Sequence, residues 1–313
     1  MALPTNTQST YVAIGNREDL SDVIYDISPT ETPVVSMIPK NKATGTKHEW
    51  QTHALAAASS SNFVLEGDDA TNDTLVQNTR IYNYCAISDK VAQVSGTQEA
   101  VNSAGRRSEF AFAVSNRMKE LKRDVEKIIL ENNAYVAGNA TTARECAGLQ
   151  AWLSSNRSIA GDATGCTGDG SDAHTDGTAR AILESYVTTV LASIWTNGGN
   201  PTIGILGSAQ KQAFAGFSGN ATRTNDGSKK TVVNTVDIYI DPLGNEVRLM
   251  PDRFAPTDVV YFIDPEYLAF STLRDFQSAD LAKTGDSMRK QILVEYTLEV
   301  RNEAAHGIVA DLS

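Results

Sequence analysis

Residues 1–94 contain few of the apolar side chains that a hydrophobic core requires. Four prolines interrupt residues 1–42, which favours an extended arm with at most one brief helix near Arg17 to Ile24. Such an arm buries little of itself, so in an oligomer its natural place is on a neighbouring subunit. This feature favours a protein that completes its packing by self-association.

Residues 43–94 form a second segment with little core of its own. The alternating stretches Thr46–Thr52 and Thr79–Tyr84 predict two strands of a long hairpin. The sequence between them is mostly small or acidic, so we expect the middle of this excursion to project from the body of the protein.

Two amphipathic helices are predicted further along the chain. From Ser103 to Asn133, apolar residues recur at three- and four-residue steps while the opposite face is charged, which predicts one long helix. The same spacing predicts a second helix from Ala179 to Trp195. A loop rich in Gly, Asp and Thr separates them, and we place a domain boundary there.

A compact mixed lobe is predicted over residues 178–260. After the second helix we expect a buried strand at 202–206, a small helix at 208–215, and a hairpin that joins 231–240 to 246–250. Beyond the lobe, strands are predicted at 259–263, 267–273 and 291–301. The last is the clearest strand, with one face formed by Ile292, Val294, Tyr296, Leu298 and Val300.

Composition excludes several classes of protein. A length of 313 residues exceeds that of most domains built around a single hydrophobic core, so we expect two lobes. The net charge of -11 argues against strong attraction to nucleic acid. The N terminus does not resemble a signal peptide, and no apolar run is long enough to span a membrane. Three widely spaced cysteines suggest neither a disulfide framework nor a zinc site, so we expect reduced thiols.

Three patterns resemble catalytic or metal-binding motifs, but each is incomplete. His48 and His53 are five residues apart on a predicted strand, so their rings point to opposite faces. Ser208 and Lys211 match S-x-x-K, and residues 283–285 match K-T-G, but the third element of that serine hydrolase signature is missing. A glycine-rich loop holds Asp162, Asp169, Asp172, His174 and Asp176 without the spacing of a known calcium loop. We therefore predict no catalytic residue, no metal site and no cofactor.

Both ends of the chain resemble the major capsid (major head) proteins of tailed bacteriophages. The resemblance rests on residues 26–34 (DISPTETPV), 264–267 (DPEY), 281–287 (LAKTGDS) and 294–307 (VEYTLEVRNEAAHG). It implies an α+β fold shared by tailed-phage and herpesvirus capsid proteins. The middle of the chain agrees with that family in the order of its elements.

The resemblance divides the chain into five segments. They are an N-terminal arm at 1–42, an extended loop at 43–94, a peripheral domain at 95–177 with a spine helix at 103–133, an axial domain at 178–260, and a return to the peripheral domain at 261–313. Apolar side chains on the core-poor hairpin are then expected to contact neighbouring subunits. The candidates are Trp50, Phe63, Leu65 and Tyr82.

The implied function is assembly. Subunits would associate as hexamers and pentamers into an icosahedral phage head that encloses double-stranded DNA without binding it specifically. Scaffolding, portal and decoration proteins are the expected partners, and no membrane association is expected. The protein would be made in the host cytoplasm and end up in the virion. Since the arm follows Met1 directly, we expect any scaffold to be a separate protein.

Two alternatives remain open from the sequence. The same fold forms the shell of cellular nanocompartments, which hold cargo enzymes in place of DNA. A serine hydrolase using Ser208 and Lys211 is the alternative from a different class, and a secreted calcium-binding adhesin is less favoured because export signals are missing.

Overall fold

The computed structural model describes residues 28–70, 72–101, 105–217, 225–226, 231–232 and 237–313. The brief helix predicted near Arg17 to Ile24 lies outside these residues. The helices are α1 (Pro33–Met37), α2 (Gly96–Ala100), α3 (Glu109–Leu130), α4 (Glu184–Thr196) and α5 (Ser208–Ala215). The strands are β1 (Lys40–Lys42), β2 (Lys47–Thr52), β3 (Thr79–Tyr84), β4 (Ala86–Ser95), β5 (Arg157–Ser158), β6 (Ile203–Leu206), β7 (Asn225–Asp226), β8 (Thr231–Val232), β9 (Ile238–Ile240), β10 (Glu246–Pro251), β11 (Val260–Ile263), β12 (Leu268–Asp280), β13 (Ser287–Val300) and β14 (Gly307–Val309).

The predicted hairpin is present. Strands β2 and β3 pair antiparallel from Lys47 opposite Tyr84 to Thr52 opposite Thr79. The excursion is shorter than the predicted 43–94, because residues 86–95 form β4 and pair with β13 in another sheet. Ala86, Ala92 and Val94 point inward from β4 and are buried, which explains why this stretch joins the body.

A four-stranded sheet has the strand order β1-β12-β13-β4. Its first strand is parallel to β12, whereas β13 is antiparallel to both of its neighbours. Helix α3 packs on this sheet through Leu121, Val125, Ile129 and Leu130. The core beneath α3 therefore combines residues from both ends of the chain.

The long helix is shorter than the predicted 103–133. It begins at Glu109 because the Ser108 hydroxyl accepts a hydrogen bond from the Ala111 amide at 3.2 Å, which caps the first turn. Glu99 reinforces this start by accepting hydrogen bonds from the Ser108 hydroxyl at 2.7 Å and the Phe110 amide at 2.9 Å. At the other end Glu131 is already extended, so the helix stops at Leu130.

A six-stranded sheet has the order β5-β14-β11-β6-β10-β9. The predicted lobe at 178–260 supplies only part of it, since β5 comes from residues 157–158 and β14 from 307–309. Alternate residues of the sheet face two different cores: Ile205 and Tyr261 belong to the cluster under α3, while Leu206 and Phe262 belong to the cluster under α4. The sheet thus separates the two cores.

The shorter elements follow the sequence prediction with shifted ends. Helix α5 covers the predicted 208–215, and β6 covers most of 202–206. Helix α4 starts at Glu184, five residues later than predicted, because the Arg180 amide bonds instead to the Asp311 carbonyl at 2.8 Å. The predicted hairpin of 231–240 with 246–250 is shorter in the structure. Only β9 pairs with β10, whereas β8 pairs with β7, and residues 233–236 lie outside the described part. Strand β12 is longer than predicted, extending to Asp280.

Candidate inter-subunit surface

The hairpin ends in a projecting loop, which we define as residues 53–78. Its described residues form neither helix nor strand, and every one of them is exposed. Phe63 is 87% exposed and Leu65 is 80% exposed, and Leu55, Val64 and Leu75 are equally open. Apolar side chains grouped on one exposed segment mark a surface that binds another protein.

Acidic residues accompany these apolar side chains. Glu66, Asp68, Asp69 and Asp73 all lie in the loop, and it contains no lysine or arginine. Its described hydrogen bonds are local, such as the Phe63 amide to the Ser61 carbonyl at 2.9 Å. The large apolar side chains of the described part of the loop therefore stay mostly exposed in the single chain.

Two of the four predicted contact residues have partners within the chain. The Trp50 indole donates a hydrogen bond to the Val300 carbonyl at 2.9 Å, and its ring lies 5.6 Å from the Trp152 ring. The Tyr82 hydroxyl is 3.0 Å from that of Tyr135, and Lys47 Nζ lies 3.7 Å from the Tyr82 ring centroid. These two residues anchor the root of the hairpin, whereas Phe63 and Leu65 are uncovered. Their contact with a neighbouring subunit stays a prediction.

A buried carboxylate fixes the root of the hairpin. Glu299 on β13 accepts hydrogen bonds from Asn41 at 3.1 Å, His48 at 3.1 Å, Ser271 at 2.9 Å and Arg301 at 3.0 Å. Burial alone would raise the pKa of Glu299, but these hydrogen bonds outweigh burial and lower it to about 2. The arm strand β1 and the hairpin strand β2 are thereby tied to the sheet.

Further large apolar side chains are exposed on two different elements of the lobe with the six-stranded sheet. Trp195 at the end of α4 is 59% exposed, and Ile238 and Ile240 are exposed on the outermost strand β9. The sequence analysis missed these residues. Their signal was available in the alternation of β9, where Tyr239 points inward and both isoleucines point outward.

The serine hydrolase pattern is not assembled as a catalytic pair. Ser208 is the first residue of α5, and Lys211 Nζ donates to the Leu249 carbonyl at 2.9 Å and lies 3.2 Å from Asp237. Within the described residues, the lysine has no hydrogen bond to Ser208. A general base for the serine would need that contact.

The histidine and aspartate patterns are also dispersed. His48 contacts Glu299, whereas His53 contacts Asn78 at 2.9 Å, so the two rings have separate partners. Asp162 bonds to Thr178, and Asp169 and Asp172 bond to Thr167 within their own loop. Across the described ranges, no three His, Cys, Asp or Glu side chains are grouped to hold a metal ion.

The three cysteines are free and buried. Burial raises the pKa of Cys85 to about 11, of Cys146 to about 12 and of Cys166 to about 11. Their thiols are therefore protonated near neutral pH and are poor nucleophiles. Of the helices that the structure describes, none has the length and apolar content needed to cross a membrane.

A projecting hairpin, a long helix on a sheet and a second lobe together give the chain the fold of the solved phage capsid structures that it resembles. The chain belongs to the SU10 major capsid protein family, whose model matches residues 3–313. Its function is that of a phage major capsid protein, a structural component of the virion that self-associates into capsomers.

Individual comparisons agree with the family. The major capsid protein of Escherichia phage Phieco32 is 28% identical in an alignment 349 positions long, which covers 99% of this chain and 97% of that protein. The cyanophage A-1(L) capsid structure has a TM-score of 0.69 at 13% identity and covers 99% of both chains. The holo-SrpI encapsulin complex from Synechococcus elongatus PCC 7942 has a TM-score of 0.55 at 10% identity and covers 95% of this chain and 92% of that one. The two structural likenesses show the fold, and they confirm the predicted α+β capsid fold.

Proposed function

We propose that the chain assembles as hexamers and pentamers into an icosahedral head that encloses double-stranded DNA. The observation that carries this proposal is the projecting loop, where five large apolar side chains are at least four-fifths exposed in the single chain. Burial of such side chains on a neighbour removes apolar area from water and stabilises association. Several modest contacts per subunit then sum to a stable shell.

The five segments have distinct roles in this proposal. The projecting loop lies across a neighbour, whereas residues 28–42 of the arm pack on their own chain through α1 and β1. Helix α3 and the peripheral domain at 95–177 form the wall with the returning residues 261–313, and the axial domain at 178–260 lies near the capsomer centre. Exposed Ile238, Ile240 and Trp195 on that last domain support a second subunit contact there.

The contents and partners follow from the charge and the class of protein. A net charge of -11 fits an inner wall that encloses DNA without gripping its phosphates. Scaffolding, portal and decoration proteins are the partners we expect, and synthesis takes place in the host cytoplasm. We further propose that the chain has no enzymatic activity.

The shell of a cellular nanocompartment is the second candidate. The likeness to an encapsulin supports only the shared fold, and the family match favours the phage head. The contents of purified particles distinguish the two: nuclease-protected DNA in particles from infected cells supports a phage head, and a packaged enzyme supports a nanocompartment. Specific labelling of Ser208 by an acylating probe would instead favour a hydrolase.

Assembly is tested by negative-stain electron microscopy and light scattering of the purified protein across a range of concentration and salt. We expect closed hollow particles or six-fold rings. The double variant Phe63→Asp/Leu65→Asp should lose most of this assembly, because two charges replace the apolar contact. The control Ser60→Asp/Asn62→Asp adds equal charge to the same loop and should assemble like the wild type.

Two outcomes would contradict the proposal. A wild-type protein that stays monomeric with and without a scaffold would overturn assembly itself. Normal assembly of the Phe63→Asp/Leu65→Asp variant would overturn the role of the projecting loop while leaving assembly intact.

A further inference from the structure

A groove lies between α1, α3 and the far half of β12. Its floor consists of Val35, Met118, Val125 and Phe276. Val125 is fully buried, and the other three are half-buried against the core under α3. The volume of the groove is about 360 Å³, which leaves room for side chains of a partner. Covering the half-buried floor would remove further apolar area from water.

The rim of the groove is mostly basic. Lys40 and Lys122 line it, both are exposed, and neither forms an ion pair within the described residues. Lys42 is exposed on the same strand β1, two residues after Lys40, so it lies on the same side of that strand. Asp275 also lines the groove, and its carboxylate accepts a hydrogen bond from the Phe276 amide at 2.8 Å. The excess of lysines favours a partner that carries negative charge.

One edge of β12 is open beside this groove. Strand β1 pairs with β12 only from Phe270 to Thr272, and the ladder with β13 shifts register between Thr272 and Arg274 and again before Gln277. Beyond Thr272, no strand in the described part of the chain pairs with the outer edge of β12. The peptide groups of an unpaired edge can hydrogen-bond to an extended segment of another chain.

The projecting loop matches the groove in its chemistry. Phe63 and Leu65 are two residues apart, so they point to the same side of an extended segment. Three acidic residues follow within four positions, namely Glu66, Asp68 and Asp69, and the loop contains no lysine or arginine. The apolar pair suits the floor of the groove, and the acidic residues suit its lysines.

The positions of loop and groove indicate that they belong to different copies. The loop starts near Val300, whose carbonyl accepts the Trp50 indole hydrogen bond, and Val300 pairs with Leu268 at the start of β12. The groove lies beside Phe276, eight residues further along that strand, a distance of about 25 Å at about 3.3 Å per residue. On its own chain the loop remains exposed, so its apolar side chains are available to a second copy.

We propose that the projecting loop of one subunit binds in the groove of a second copy. Phe63 and Leu65 cover the apolar floor, and residues 66–69 lie against Lys40 and Lys122. The contact rests on the proposed assembly function and identifies the surface that receives the loop. It is head-to-tail, because each copy offers its loop at one end of the four-stranded sheet and its groove at the other, and repetition of such a contact generates a ring of subunits.

Disulfide trapping between two full-length variants tests the contact. Leu65→Cys and Met118→Cys chains are mixed under assembly conditions, with and without a scaffold protein, and then oxidised. We expect a cross-linked dimer of the two variants on a non-reducing gel, because the contact brings the two positions within disulfide reach. The native cysteines are buried, and alkylation before denaturation keeps them from reacting. The matched control Ile128→Cys, half-buried on α3 but outside the groove, should give no dimer with Leu65→Cys.

Charge reversal tests the electrostatic part of the contact. The variant Lys40→Glu/Lys122→Glu should raise the protein concentration needed for assembly about tenfold or more, because like charges then face each other. Adding Asp68→Lys/Asp69→Lys to the same chain should restore assembly towards the wild type. The control Lys127→Glu makes the same change at an exposed residue of α3 that lines a different cavity, and it should assemble normally. Light scattering measures all four proteins.

Several outcomes would overturn the contact. They are a Met118→Cys chain that is trapped no better than the Ile128→Cys control, a cross-link that forms only within a single chain carrying both cysteines, and a Lys40→Glu/Lys122→Glu variant that assembles like the wild type or is not rescued. Normal particles together with any of these results would leave the proposed assembly function intact. Cross-linking of the predicted pair without closed particles would support the contact and contradict the shell.

Discussion

Glu299 illustrates how one buried side chain joins distant parts of the chain. Its hydrogen-bond partners come from β1, β2, β12 and the residue after β13, so one carboxylate joins these segments at the root of the hairpin. A buried carboxylate is stable only when its oxygens are well supplied with donors. Removing its charge should therefore destabilise the attachment of both the arm and the hairpin to the sheet.

We predict that Glu299→Gln lowers the free energy of unfolding by about 2–4 kcal/mol at neutral pH, because it breaks a buried, charge-assisted network. The folded pKa of Glu299 is lowered, so its contribution is present above the ordinary pKa of 4.5 and is lost as the pH falls towards 2. Denaturation measured at several pH values should show less acid destabilisation in the variant than in the wild type.

The control for this prediction is Glu246→Gln, which changes an exposed glutamate on β10. Its unfolding curve should match the wild type at every pH. If Glu299→Gln and Glu246→Gln behave alike, the network around Glu299 contributes nothing measurable.

At the scale of an element, β13 is an inner strand of the four-stranded sheet and pairs along both of its edges. It pairs with β12 on one side and with β4 on the other over most of its length. Ile292, Val294, Tyr296, Leu298 and Val300 are all buried in the core under α3, as the alternation in the sequence predicts. The opposite face is also covered, because Arg144 and Arg274 contact Glu295 at 2.5 and 2.8 Å.

We predict that Ile292→Ala lowers the free energy of unfolding by about 2–5 kcal/mol, because it leaves a cavity in the core. The matched control is Ile87→Ala on the neighbouring strand β4, where the isoleucine is 47% exposed and its loss should cost less than about 1 kcal/mol. Chemical denaturation of the unassembled subunit measures both values. Equal losses would contradict the assignment of the two faces.

At the scale of the whole molecule, the chain has two cores and one segment that belongs to neither. The six-stranded sheet lies between the cores, and the projecting loop lies outside both. Proteases cut exposed loops far faster than helices or sheets, which must first unfold locally. The rate at which a protease cuts the loop is therefore a measure of whether the loop is covered by a neighbouring subunit.

We predict that chymotrypsin cuts the unassembled subunit within the loop, at Phe63 or Leu65, and that assembled particles are protected there. Trp195 is a control site because it is exposed but lies in α4, so it should resist cleavage in both states. Gel analysis of the fragments measures the two rates. Equal cleavage of the loop in subunits and particles would argue against its burial on a neighbour.

Helices and strands were predictable from the sequence where the spacing of apolar residues matches the face that is buried in the structure. The hairpin strands, α5 and the buried face of β13 follow from alternation or helical spacing alone. The starts of α3 and α4 were misplaced, because the Ser108 cap and the Arg180–Asp311 contact make each helix begin later than its apolar pattern. Capping and tertiary hydrogen bonds therefore override periodicity at the ends of elements.

The sequence by itself determined that the middle of the hairpin excursion supplies almost no core, that a long helix and a clear final strand follow it, and that the motifs for metal binding or hydrolysis are incomplete. Only the tertiary structure decided that Trp50 and Tyr82 are anchored inside the chain while Phe63 and Leu65 are uncovered. The physical reason is that spacing along the chain defines which face a side chain occupies, whereas its burial, charge and partners depend on segments that are distant in sequence.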